Sequence, residues 1–200
     1  TASAVLNASG SGSASYTSVL INPTGGAART ISGDITGHLI DLNGANNVTI
    51  NGLKTGGNSL TISNISVLAS STIRFSADAS NNTVTNAALQ GSTTSFGVVY
   101  FGTGTVTGND NDIISNCDIG PAGANQPLNG IYSLGSSAVI DNSNITISGN
   151  NIFDFFNTSL ATNGLNINSF NSAWTITNNR LYQTANRLYT TANTHAGINI

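Results

Sequence analysis

Apolar residues recur along this chain in two short alternating patterns. The first is apolar–x–apolar, usually after a glycine. It occurs as Ile40-Asp41-Leu42, Ile73-Arg74-Phe75, Val98-Val99-Tyr100, Ile131-Tyr132-Ser133, Leu165-Asn166-Ile167 and Ile198-Asn199-Ile200. Successive copies start 33, 25, 33, 34 and 33 residues apart. The second is apolar–Ser/Thr–Asn/Gly–x–x–Ile/Leu. It occurs as Val84-Thr85-Asn86 with Leu89, Ile114-Ser115-Asn116 with Ile119, Ile147-Ser148-Gly149 with Ile152, and Ile176-Thr177-Asn178 with Leu181. A shortened copy is Ile50-Asn51-Gly52 with Leu53. The two patterns alternate in fixed order. Period-2 alternation with β-branched residues predicts short strands. The Asn and Gly between them tolerate the left-handed backbone that sharp corners need.

One such repeat cannot bury its apolar side alone, whereas stacked repeats can. The simplest closed arrangement is an all-β, single-stranded parallel β-helix of about six coils of roughly 25–34 residues. Each strand then pairs with its equivalent one coil away, at about 4.8 Å. Inward columns are expected at Ile50, Val84, Ile114, Ile147 and Ile176, and at Leu53, Leu89, Ile119, Ile152 and Leu181. Trp174 falls in the column of Val48 and Ile145 and is read as core. Corner residues Asn82, Asn116, Asn150 and Asn178 are expected to form amide ladders. Asp41 and Arg74 fall on successive coils and are expected to pair. Residues 1–36 fit the repeat less well and are read as a lead-in or first coil, with the repeats over 37–200. Residues 101–112 and 134–143 are expected to form projecting loops. The strand-like segment Leu60-Thr61-Ile62-Ser63-Asn64 has no assigned place. The chain starts at Thr1, without Met, and ends in an apolar alternation, as a piece truncated within the repeats would.

Composition narrows the class. The chain holds 30 Asn, 25 Ser, 25 Thr and 22 Gly, half of its 200 residues. It has one Lys, four Arg, eight Asp and no Glu, for a net charge of −3. These residues are poor material for helical bundles. The 20 Ile and low net charge argue against disorder. Five cations do not make a nucleic-acid-binding face. No apolar run reaches the length of a membrane span. The single Cys117 forms no internal disulfide and is read as a structural thiol.

Gly130-Ile131-Tyr132 leading to Asn144-Ile145-Thr146-Ile147-Ser148-Gly149-Asn150-Asn151-Ile152 resembles the right-handed parallel β-helix repeat of the pectate-lyase-like superfamily. So does Gly164-Leu165-Asn166-Ile167 leading to Trp174-Thr175-Ile176-Thr177-Asn178-Asn179-Arg180-Leu181. The resemblance covers about residues 37–200. It implies the right-handed sense of winding and says little about activity. The segment from Gly37 to Ile50 is similar to large secreted or surface-exposed β-helix proteins of Bacteroidetes-type bacteria. That similarity implies an extracellular or cell-surface location, with export by a type IX route.

Candidate chemistry is sparse. Hydrolysis of a glycosidic bond needs a carboxylate pair flanking it. Lyases resembling this superfamily use acidic Ca²⁺ ligands with an Arg or Lys base. The densest acidic group is Asp110-Asn111-Asp112, whose oxygens suit Ca²⁺. Its spacing matches no calcium loop in full, and a loop-to-strand corner favours Asp and Asn by itself. Arg180 and Arg187 lie about two coils away, roughly 10 Å along the axis. His38 and His195 are isolated, and no metal-ligand cluster or cofactor is indicated. Thr49/Asn51, Thr83/Thr85, Ile113/Ser115, Thr146/Ser148 and Thr175/Thr177 form an interrupted Thr–x–Thr ladder of the kind ice-binding proteins present. Thr is also favoured in strands for packing reasons.

The expected function is therefore a structural, adhesin-like segment of a large secreted bacterial surface protein. Its partners would be extracellular glycans or neighbouring surface proteins, further coils of the chain, or other copies. Asp110, Asp112, Tyr132 and Tyr182 are the candidate binding residues, the tyrosines as stacking platforms. The alternatives are a polysaccharide lyase or glycoside hydrolase of the β-helix class and, after it, an ice-binding protein.

Overall fold

The computed structural model describes residues 2–200. The first coil is built from β1 (Ala4–Asn7), β2 (Val19–Ile21) and β3 (Ala28–Gly33). The second has β4 (Gly37–Asn43), β5 (Val48–Asn51) and β6 (Ser59–Asn64). The third has β7 (Ser70–Ser76), β8 (Thr83–Thr85) and β9 (Ala88–Gly91). The fourth has β10 (Gly97–Phe101), β11 (Ile113–Ser115) and β12 (Asp118–Pro121). The fifth has β13 (Asn129–Ser133), β14 (Asn142–Ser143), β15 (Thr146–Ser148) and β16 (Asn151–Phe153). The sixth has β17 (Thr162–Ile167), β18 (Asn171–Ser172), β19 (Thr175–Thr177) and β20 (Arg180–Tyr182), and β21 (His195–Asn199) begins another.

Equivalent strands stack in parallel. They form a seven-stranded first sheet (β1-β4-β7-β10-β13-β17-β21), a second sheet (β2-β5-β8-β11-β15-β19), a third (β3-β6-β9-β12-β16-β20), and the small β14–β18 pair at a corner. The chain is thus an all-β right-handed solenoid of about six turns, with no helix among the described residues. Residues 4–33 pair with the second coil in all three sheets.

Inside, aliphatic side chains stack by register. Ile21, Ile50, Val84, Ile114, Ile147 and Ile176 form one column. The second expected column is corrected at its start. Ile31 and Ile62, not Leu53, precede Leu89, Ile119, Ile152 and Leu181. Leu53 sits at a corner with φ +61°. The reason is corner length, since seven residues separate β5 from β6, whereas Asn86 and Ala87 alone separate β8 from β9. The unassigned segment from Leu60 to Asn64 is therefore the third side of coil two. A second correction concerns coil four, where Val99-Tyr100-Phe101, not Val98-Val99-Tyr100, aligns with Ile73-Arg74-Phe75 and Ile131-Tyr132-Ser133. Phe75 and Phe101 then stack in the core, 4.6 Å apart, with Trp174 edge-on to Phe101. Trp174 is half-buried and donates from Nε1 to the Asn142 carbonyl (3.0 Å).

Asparagine serves two structural purposes. From the second coil on, the corners from the first sheet to the second share a left-handed residue at one register position, filled by Asn47, Asn81, Asn111, Asn144 and Ala173. Each short corner from the second to the third does the same with Asn86, Asn116, Gly149 and Asn178. Asn pays the least steric penalty there after Gly. Others are buried as rungs between coils. Asn142 accepts from the Asn109 N–H and side-chain amide (3.1 and 2.8 Å), and Asn179 accepts likewise from Asn150 (both 2.9 Å). Asn116 and Asn178 are at corners as expected, but there they serve as left-handed residues and not as ladder rungs.

Candidate functional site

The outer face of the first sheet carries the densest chemistry. Because Ile40 and Leu42 point inward, Asp41 points out. Register then places Arg74, Tyr100, Tyr132, Asn166 and Asn199 in the same outward row. Arg74 donates to both Asp41 oxygens, from Nε at 2.9 Å and from Nη2 at 2.6 Å. Ser76 Oγ adds a third bond to Asp41 (3.2 Å). Tyr100 stacks on Phe96 at 4.5 Å and meets Tyr132 at 5.6 Å. His38 completes the cluster, with its ring 5.8 Å from both Phe96 and Tyr100. Its Nδ1 is hydrogen-bonded to Ser71 Oγ (2.7 Å). Burial, with the Arg74 charge adding to it and Asp41 opposing, pushes the His38 pKa down to about 4, so the ring is neutral at pH 7. Burial likewise raises the Tyr100 hydroxyl above its ordinary range, with Tyr132 adding to the effect. Tyr132 is half-buried, with Phe96 beside it.

Along one side of this row, the corners leading from the third sheet line a groove of about 360 Å³. Ser92, Thr94, Asn125, Gln126 and Asn157 give it uncharged hydrogen-bonding groups, and Phe156 gives it an apolar wall. Arg187 covers that ring at 5.4 Å and is itself held by Asp154 (2.8 Å).

Tyr182 lies elsewhere. It is on the outer face of the third sheet, stacked on Phe153 at 5.7 Å with Arg180 over its ring at 5.5 Å. Phe153 lies flat over Gly120, where a Cβ would come within 2.6 Å of the ring. The structure therefore puts Tyr132 and Tyr182 on different sheets.

Asp110 and Asp112 are also separated in role. Asp110 sits at a corner, where its Oδ1 accepts from the Ser143 N–H (3.0 Å) and Oγ (2.7 Å). Asn46 holds Ser80 in the same way one pair of coils earlier (3.1 and 3.0 Å). Asp112 is fully buried, with Oδ1 bonded to Asn82. The described residues contain no group of three or more His, Cys, Asp or Glu that could hold a metal ion.

Apart from exposed Asp34, the remaining carboxylates are dispersed and internally bonded. Asp78 accepts from the N–H groups of Thr105, Val106, Thr107 and Gly108 and so pins that loop. These bonds, with the Thr105 hydroxyl, overcome desolvation and hold its carboxyl far below the usual range. Asp118 pairs with Lys54 (2.8 Å), and Asp141 accepts from Ser172. Cys117 is buried, and burial pushes its thiol up to about 11. The second sheet's outer columns have the expected register, Thr49–Thr83–Ile113–Thr146–Thr175. Ile113 breaks the hydroxyl row, and Asn51 is engaged by Asn86 (3.0 Å).

Sequence reading singled out Tyr132 and missed Tyr100, Phe96 and His38. Tyr100 was hidden by the one-residue slip in coil four. Phe96 and His38 lie before the aligned triplets. No protein-family model, curated protein or solved structure matches the chain.

Proposed function

We propose that this chain is a structural, adhesin-like segment of a large secreted bacterial cell-surface protein, and that it binds extracellular glycans on the outer face of its first sheet. The observation that carries this reading is the row Arg74–Tyr100–Tyr132 with Phe96 and His38 packed beside it. Aromatic rings offer flat apolar faces to sugar C–H groups, and their polar rims accept or donate hydrogen bonds to hydroxyls. The uncharged groove beside the row extends the same chemistry with amides and hydroxyls. Repetition along the solenoid lets weak contacts add by multivalency. In its finer assignment, the chain belongs with the pectate-lyase-like solenoids of Bacteroidetes-type surface proteins, to which its repeats are similar. The dispersal of the carboxylates over corners and different sheets favours binding over glycoside cleavage, which needs two of them across one groove.

The test is a glycan array and a cell-adhesion assay with the wild-type chain, Tyr132→Ala and Tyr182→Ala. Binding that falls at least tenfold in Tyr132→Ala and persists in Tyr182→Ala is the expected result. A folded protein that retains no glycan and no cell surface leaves the scaffold role alone. Release of reducing or unsaturated ends from the retained glycan would replace binding with catalysis.

A further inference from the structure

Asp112 occupies a position built for an amide. Its counterpart one coil earlier is Asn82, because Thr83 pairs with Ile113. Asn82 reaches back to the preceding coil with both ends of its side chain. Oδ1 accepts the Val48 N–H (3.0 Å), and Nδ2 donates to the Ala45 carbonyl (2.9 Å). Asp112 repeats the first half, since its Oδ1 accepts the Asn82 N–H (2.8 Å). Asn46 pairs with Ser80 and Ser80 with Asp110, so Ala79 stands to Asp112 as Ala45 stands to Asn82. The second oxygen of Asp112 thus takes the place of an amide Nδ2 aimed at a carbonyl. Both donors of Asn82 go to Oδ1 (2.8 and 3.0 Å), and Oδ2 is buried with no partner. The Ala79 carbonyl already accepts the Asp110 N–H (3.1 Å) and has its second lone pair free.

We infer that Asp112 is a neutral acid in the folded protein at pH 7, donating from Oδ2–H to the Ala79 carbonyl as an asparagine would from its amide. An ionised oxygen at that place is desolvated and faces another acceptor, whereas a proton satisfies both. Burial raises the pKa of this group in the same sense, and the Asp110 charge adds to it against the two Asn82 bonds. The register neighbours of Asp112 are Asn82 in the preceding coil, with Ala79 at the same corner, and Ile145 in the following one, none of them titratable. Asp110, two residues away, is the charged group that bears on it. The seam between the third and fourth coils is therefore closed by a proton and weakens as pH rises.

The sign follows from linkage. The unfolded chain loses this proton near pH 3.9, and the folded chain keeps it to higher pH. Between those two points the folded state binds one more proton. The folding constant then falls up to tenfold per pH unit. His38, with its folded pKa near 4, opposes this slope between about pH 4 and 6.5. Between about pH 6.5 and 8 the Asp112 contribution stands alone, and above that the raised Cys117 thiol adds a slope of the same sign, which the comparison with Asp112→Asn cancels. The lowered carboxylates Asp78, Asp118 and Asp154 add no slope there.

The experiment has two arms. In the first, the wild-type chain carries ¹³C at the Asp carboxyl carbons. At pH 7 one of the eight resonances should lie at the protonated position and vanish in Asp112→Asn. In the second, urea unfolding of wild type and Asp112→Asn is compared from pH 5 to 9. The variant should be the more stable, and the ratio of folding constants should grow by up to tenfold per unit before levelling. Eight ionised carboxyls in the wild type at pH 7 overturn the inference, whether or not the variant folds. A stability ratio that is flat with pH overturns it as well.

Discussion

Asn142→Ala removes one rung of the buried amide ladder, and its cost can be worked out atom by atom. Asn142 is fully buried at the start of β14. Its Oδ1 accepts from the Asn109 N–H (3.1 Å) and Nδ2 (2.8 Å), and its Nδ2 donates to the Gly102 carbonyl (3.1 Å) and Ser133 Oγ (3.0 Å). Three of these partners keep another bond. Gly102 still accepts from Asn109 Nδ2 (2.7 Å), which is satisfied by the same contact, and Ser133 Oγ still donates to Asn171 (2.6 Å). The Asn109 backbone N–H keeps none. One orphaned buried donor costs about 1–3 kcal/mol, and the lost bonds to satisfied partners add about 1 kcal/mol more. A total near 3 kcal/mol lowers the melting temperature by roughly 6–12 °C for a chain of this size. The reference is Asn144→Ala, two residues on. Asn144 is exposed, has φ +55°, and shares its column with Ala173, so alanine there should cost about 1 kcal/mol or less. Urea and thermal unfolding, followed by far-UV circular dichroism, measure both. An Asn142→Ala loss below about 1 kcal/mol, or no larger than that of Asn144→Ala, would refute the view that buried amides tie the coils together.

Two further outcomes follow from packing. Gly120→Ala places a methyl group 2.6 Å from the Phe153 ring, which must swing away from Tyr182, at a cost of about 1–3 kcal/mol. Its near-UV circular dichroism should change with little change in the far-UV, and an unaltered near-UV spectrum would contradict the stacking. Cys117, buried with its thiol at about 11, should stay unlabelled by a thiol reagent at pH 8 until urea unfolds the chain; rapid labelling of the native protein would show the coil to open there.

The sequence made the coil count, the parallel stacking and most inward columns legible, because period-2 alternation repeats wherever corners keep their length. It failed where that premise failed. The corner from Gly52 to Asn58 holds left-handed Leu53 and Lys54, and spacing alone moved Leu53 into a column that belongs to Ile62. In coil four, Gly97–Phe101 is buried throughout, so alternation gives no phase. A slip of one residue there turns every side chain to the opposite face. It put Tyr100 inside and Val99 outside, and so hid the centre of the aromatic row. Tyr132 was legible as an outward tyrosine, because Ile131 and Ser133 flank it in a clear alternation. The column of Val48, Ile145 and Trp174 was recognised by its apolar members. Its two other members, Asn82 and Asp112, are polar and were not assigned to that column, although Asn82 was expected in an amide ladder. The inter-coil register places both in the column and shows Asp112 to be a rung as well.

The scarcity of charge has the same origin as the ladders. In an in-register solenoid, equivalent positions lie about 4.8 Å apart on successive coils. A charge at a repeated position meets its own kind in the next coil, at about 1 kcal/mol even in water and more near the surface of a protein. Neutral amides and hydroxyls have no such penalty and can bond to themselves. Three of the charges that remain on the acidic side are met by the opposite sign from another coil. Asp41 meets Arg74 one coil on, and Asp154 meets Arg187 likewise. Lys54 reaches across the small Ala88 to Asp118 two coils away. Asp78 has no cation but is wrapped in loop N–H groups. Asp112 has no cation and no donor to its second oxygen, and nothing in its column can supply one. A buried acid in that position is tolerated only when it gives up its charge, which is why asparagine at 112 should be the more stabilising residue at neutral pH and aspartate the equal of it only in acid.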